Sequence, residues 1–188
     1  MRRPSVRARS AAVRGLAVAM ALALAMGPGA GAADTTTLRV YFNNARRAGT
    51  ESDCAIVFER TRQVLRTEAV ATAALQQLFA GPTEAERAAG DRSPFSVATA
   101  GLLKRVRIEH GTAYVDLNDL RAQLPGVTSS CGAAEFGLQI ERTLRQFPTV
   151  RRVILAIEGD PRRFAEWMGQ ECDLRTDHCD PAPFRAGR

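Results

Sequence analysis

The sequence predicts an α+β fold, a single domain in which a mixed or antiparallel sheet of about four or five strands carries two main packed helices. Three stretches lead to that expectation. Phe136, Ile140, Leu144 and Phe147 recur at helical spacing with Ala133 and Thr143 beside them, while Glu141, Arg142 and Arg145 lie opposite. This is an amphipathic helix, and Pro148 cannot continue it. The run Val150 to Ile157 that follows is short and rich in β-branched residues, and Gly159-Asp160-Pro161 closes it in the manner of a buried central strand. Upstream, Leu102, Val106 and Ile108 alternate with Arg105, Arg107 and Glu109, and Ala113, Val115 and Leu117 alternate with Tyr114 and Asp116. His110-Gly111 joins these two runs as a hairpin turn.

Taken in order, the chain begins with a leader. Arg2, Arg3, Arg7, Arg9 and Arg14 precede the apolar run Leu16 to Met26, and small residues follow from Gly27 to Ala33. Residues 1–32 therefore read as a signal peptide cut after Ala32, since the apolar run is shorter than the ~20 residues that span a bilayer. The formal charge of +6 belongs mostly to that leader, and removing its five arginines leaves +1. Nucleic-acid binding loses its electrostatic basis, and no stable membrane span is expected after cleavage. The expected destination is the periplasm, the cell surface or the medium.

Residues 33–170 form the expected domain and residues 171–188 a cysteine-containing tail whose end, from Asp180, reads as disordered. Leu38, Val40 and Phe42 alternate with Arg39 and Tyr41 in a first strand, whose edge near Leu38 to Asn43 could accept another strand. Cys54 to Val64 reads as a short strand or extended segment because Ile56-Val57-Phe58 gives way to charge. Glu68 to Phe79 is a helix capped by Thr67, with Val70, Ala74, Leu75 and Leu78 on one face and Gly81-Pro82 as its stop. Thr83 and Glu86 have capping-box spacing for a two-turn helix ending at Gly90, and Asp91 to Gly101 reads as a loop over the sheet. After an irregular connection, Thr128, Ser129 or Ser130 caps the long helix. Asp160 and Pro161 then start a short helix bearing Phe164, Trp167 and Met168.

In this order the chain resembles the GerMN domain of sporulation and spore-germination proteins. The matching residues are Val40-Tyr41-Phe42, Ala74-Leu75 with Leu78, Gly81-Pro82-Thr83 with Glu86 and Gly90, the hairpin Gly111 to Leu117, and Gln139-Ile140, Thr143-Leu144, Phe147-Pro148, Val150, Val153 and Gly159. The resemblance implies a small α+β domain, a non-catalytic role at the cell envelope and similarity to the ring-building modules of secretion-like assemblies, with no catalytic residues to transfer. There is one copy where some members have two, no lipid-attachment cysteine, and a Cys172 to Cys179 extension outside the shared pattern. A spore role does not follow from it.

Four cysteines in an exported chain point to two disulfides. Cys54 and Cys131 stand at element junctions, whereas Cys172 and Cys179 are neighbours in the tail, so these are the expected pairs among three connectivities. A metal site from Asp173, Asp177, His178 and Asp180 with the tail cysteines matches no zinc spacing, and oxidised cysteines are not ligands. A hydrolase would need His110 or His178 as its base, and both read as solvent-facing polar residues. Asp116 and Asp119 beside Asn118 read as a polar strand end. The expectation is thus a binding or assembly domain with an envelope protein or cell-wall partner, without enzyme activity, cofactor or metal. The alternatives are an envelope hydrolase or its accessory, and a disulfide-stapled ligand-binding module. Phe164, Trp167 and Met168 form a candidate partner surface, although at helical spacing such residues more often dock a terminal helix on its own domain.

Overall fold

Alternation of Leu38, Val40 and Phe42 against polar neighbours produces β1 (Thr35–Asn44), which pairs antiparallel with β2 (Val57–Leu65) from Thr35↔Leu65 to Asn43↔Val57. The computed structural model describes residues 34–49, 54–172 and 178–185, so the leader and the acidic positions Asp173 and Asp177 lie outside the described residues. β2 is longer than its apolar residues alone suggest because its charges have partners. The Arg60 guanidinium donates twice to Asp91, at 2.5 and 2.9 Å, and Arg62 donates twice to Glu86, at 2.6 and 2.7 Å. Burial pushes the Glu86 carboxyl up, but the Arg62 guanidinium and the Thr83 amide together hold it below the usual carboxylate range.

One helical turn, α1 (Ala45–Ala48), is capped by the Asn44 side chain and ended by Gly49 at φ 74°. In α2 (Val70–Phe79) the buried face is Ala71, Ala74, Leu75, Leu78 and Phe79, and the Thr67 hydroxyl accepts from the Ala69 amide just before the helix rather than within it. Gly81 stops α2 at φ 78°, where a Cβ would lie 2.4 Å from the Phe95 carbonyl oxygen, so only glycine fits. The Thr83–Glu86 capping box opens α3 (Glu84–Ala88). The stretch expected as loop then contributes β3 (Asp91–Arg92), which pairs with Asn43–Asn44 on the far side of β1.

β4 (Leu103–Glu109) and β5 (Thr112–Leu117) form the expected hairpin, with His110 at φ 48° and Gly111 at φ 84° supplying the two left-handed turn residues. The Ser129 side chain caps α4 (Ser130–Leu144), and β6 (Arg152–Ile157) follows parallel to β5. The strands are therefore divided between two three-stranded sheets, ordered β2-β1-β3 and β4-β5-β6. They share one core, because Phe136, Ile140 and Leu144 of α4 cluster with Val40 and Phe42 of the first sheet, Ala113, Val115 and Ile157 of the second, and Leu75 and Leu78 of α2.

Two further positions differ from expectation. β6 is an edge strand rather than a central one. Its continuous apolar character comes from burial on both faces, with Ile157 in the main core and Ile154 and Ala156 beneath Phe184. The tail is also ordered over residues 178–185. After α5 (Pro161–Trp167), capped by Asp160, residues 182–185 form α6 (Ala182–Arg185), in which Phe184 is 2% exposed. Among the described residues no helix is long and apolar enough to cross a membrane.

Candidate functional site

The two sheets treat their strand edges differently. The edge expected to be open, at Leu38 to Asn43, is occupied at Arg39 and at Asn43 on the side that β2 leaves. β2 covers one side of β1, and on the other the Gln146 side chain accepts from the Arg39 amide at 2.9 Å and donates to the Arg39 carbonyl at 2.7 Å, as a paired strand would. At the far end of the strand β3 takes over, held by a buried polar cluster. Gln139, fully buried in α4, donates to Asn43 at 2.7 Å and accepts from the Ser93 hydroxyl at 2.6 Å. Asn43 donates to the carbonyls of Cys54 and Ile56 at 2.9 Å each, and Asn44 donates to Asp91 at 2.7 Å. Sequence reasoning missed this cluster, although a glutamine on the apolar stripe between Phe136 and Thr143 was its signal.

β6 presents the contrasting case. Among the described residues β5 is the one strand it pairs with; a bridge to Asp160 closes its outer edge at Ile157, and farther back Val153, Ile154 and Leu155 line a groove of ≈ 370 Å³. Ala133, Gly137 and Glu141, four residues apart along α4, form one wall with Arg145 just past its end, while Phe164 of α5 and Met168 just past it stand in another. Gly137 keeps the groove wide, since a Cβ there would meet nothing within 4 Å. The polar lining is mainly cationic. Glu141 is bridged by Arg145 at 2.6 Å, and Arg152 and Arg151 stand at one end, where the Arg152 guanidinium lies 3.4 Å from His178 Nδ1.

The sequence-derived candidates fall as follows. Cys54 is bonded to Cys131 and Cys172 to Cys179, with Cα atoms 5.5 and 5.6 Å apart. Glu135 lies beside the first pair, close enough for a three-ligand cluster, but both sulfurs are in the disulfide and neither is a thiolate. Burial raises the Glu135 carboxyl against the opposing pull of Arg92. Phe164 packs on Phe136 with centroids 6.1 Å apart, and Trp167 meets Phe136 edge-on at 5.8 Å. The α5 aromatics thus dock on their own core, and Phe164 and Met168 also face the groove. His110 sits at the hairpin tip, remote in sequence and element from His178.

Asp116, Asp119 and Asn118 are tied into the strand end. Asp116 accepts from the Gly159 amide at 2.6 Å, Asn118 donates to the Gly101 carbonyl at 2.7 Å, and the Arg121 guanidinium beside Asp119 lowers its carboxyl to about 2. Glu158, at φ 54°, accepts from the Asp119 amide and from Lys104, which hold its carboxyl below the usual range.

Two sheets around one long helix define a small α+β module. The family model described as sporulation and spore germination, Germane, matches residues 39–163, and the chain belongs to that family. Among solved structures, the chain is similar to the tandem GerMN domains of the sporulation protein GerM from Bacillus subtilis, with 21% identity and a TM-score of 0.47 over 67% of this chain and 40% of that one. It is likewise similar to the first GerMN domain of the same protein, with 21% identity and a TM-score of 0.45 over 66% of this chain and 84% of that one. The chain thus spans 40% of the length of the tandem-domain structure. No curated protein sequence matches it.

Proposed function

We propose that this protein is an exported, non-catalytic binding or assembly domain of the cell envelope, and that it docks an extended segment of a partner along the outer edge of β6. The observation that supports this reading is a strand edge left unpaired at Val153, Ile154 and Leu155 among the described residues and set inside a groove. Such an edge offers amides and carbonyls in a row, which an added strand satisfies, and the flanking helices supply side-chain selection. Arg145, Arg151 and Arg152 favour acidic side chains on that segment. Export is supported by the leader arginines and by two disulfides, which persist in an oxidising compartment. Intact mass of protein recovered outside the cytoplasm should then begin near Ala33.

Gly137→Trp tests the groove. The new side chain has room, so circular dichroism and melting temperature should stay close to those of the parent, with a small gain from removing a helix glycine, about 0.5 to 1 kcal/mol for Gly→Ala as a guide. Crosslinking in intact cells should then lose the partner that the parent traps. A folded Gly137→Trp protein that still traps the same partner would remove the groove from the proposal, and turnover of an envelope substrate by the purified parent would remove the non-catalytic reading.

A further inference from the structure

The outer face of the second sheet carries a separate small site. Tyr114, Ile154 and Ala156 form an apolar spot apart from the main core, and Phe184 fills it, meeting the Tyr114 ring edge-on with centroids 5.6 Å apart. Two guanidiniums on β4 complete the contact, since Arg105 donates to the carbonyl of Phe184 and Arg107 to that of Pro183. An aromatic-sized depression rimmed by two charged donors is built to take an aromatic side chain borne on a turn whose carbonyls are free.

The strap that supplies these groups, residues 178–185, has the properties of a ligand. It lies beyond the family match, which ends at residue 163. Its turn is organised by its own bonds, with Asp180 accepting from the Ala182 amide at 2.8 Å and the Pro181 carbonyl from the Phe184 amide at 3.0 Å. Pro181 and Pro183 restrict it further, so little freedom is lost on docking. The Cys172–Cys179 disulfide tethers it next to the face it covers.

We propose that this face is a peptide-docking site whose resident occupant is the chain's own strap, and which accepts the strap of a second copy when its own is lifted. The second copy is the occupant because its strap carries the same Phe184 side chain and the same two carbonyls that the site holds. The site lies on the outer face of the sheet and shares Ile154 and the strap's His178 with the β6 groove, but its Phe184 contact is not part of that groove.

The test uses the full chain. Phe184→Ala should leave the main core folded, with unchanged circular dichroism and faster hydrogen exchange on the outer face of β5 and β6. A fluorescent synthetic peptide of residues 178–188 carrying Cys179→Ser should bind this variant at least about tenfold more tightly than it binds the parent, whose tethered strap competes at an effective concentration on the order of millimolar. Adding Tyr114→Ala should abolish that binding. A Tyr114→Ala chain, which donates a loosened strap, should form a one-to-one complex with the Phe184→Ala chain in sedimentation. Unfolding of Phe184→Ala would make the strap part of the core and overturn the proposal, as would a folded variant that binds the peptide no better than the parent. Peptide binding without the mixed complex would overturn the second copy as occupant.

Discussion

The free side of β1 and the outer side of β6 pose the same physical problem, a row of backbone groups that need partners, and the molecule answers it in opposite ways. On β1 a single glutamine imitates a strand at Arg39, and a two-residue strand covers Asn43 and Asn44. On β6 the row opens into a groove whose nearest helix wall is kept small by Ala133 and Gly137. Closure of an edge therefore takes only a few well-placed amides, and an edge without them stands out as a surface available for docking.

The largest effect on the closed side is expected at the Cys54–Cys131 disulfide. Replacing Cys54 and Cys131 together by serine should cost about 4 to 5 kcal/mol as an upper figure from the chain-entropy model, read as a drop in the denaturation midpoint. Retention of the parent midpoint would show that the closed edge does not rely on it. Gln139→Leu comes next. It strands the buried Asn43 carbonyl oxygen and the Ser93 hydroxyl, and a loss of about 2 to 4 kcal/mol should accompany faster exchange of the Asn43 and Asn44 amides. Gln146→Ala should act least, about 1 kcal/mol or less, because water can replace the exposed amide. Exchange at Arg39 should rise while the neighbouring paired amides of Leu38 and Val40 stay protected, and a rise spread evenly along β1 would mean that Gln146 does not cap a single position.

Local chemistry was legible in the sequence. The Thr83–Glu86 box, the stop at Gly81, the hairpin around His110-Gly111 and the stripe of α4 each depend on residues a few positions apart, and each stands where its pattern placed it. Partition into two sheets was not, because it depends on which strands meet across long separations. The charged half of β2 read only as a short strand or extended segment, and the partners that hold it as a full strand, Asp91 and Glu86, come from about 24 to 31 residues away. β6 looked central because apolar residues on both faces cannot reveal whether a strand or a strap covers the second one. The groove shared this limit. Phe164 and Met168 were visible as candidates, but the unpaired edge beside them is a property of topology.

The order of the cysteines has a consequence for how the chain matures. The first cysteine is bonded to the second and the third to the fourth, so the ring closed by Cys54 and Cys131 ends before the one closed by Cys172 and Cys179 begins. In sequence neither ring encloses the other. During synthesis each cysteine meets its correct partner as the next one to emerge, and oxidation in order of appearance yields the native pairing without the reshuffling that takes seconds to hours. The chain should reach its native oxidised form without the help of a disulfide isomerase.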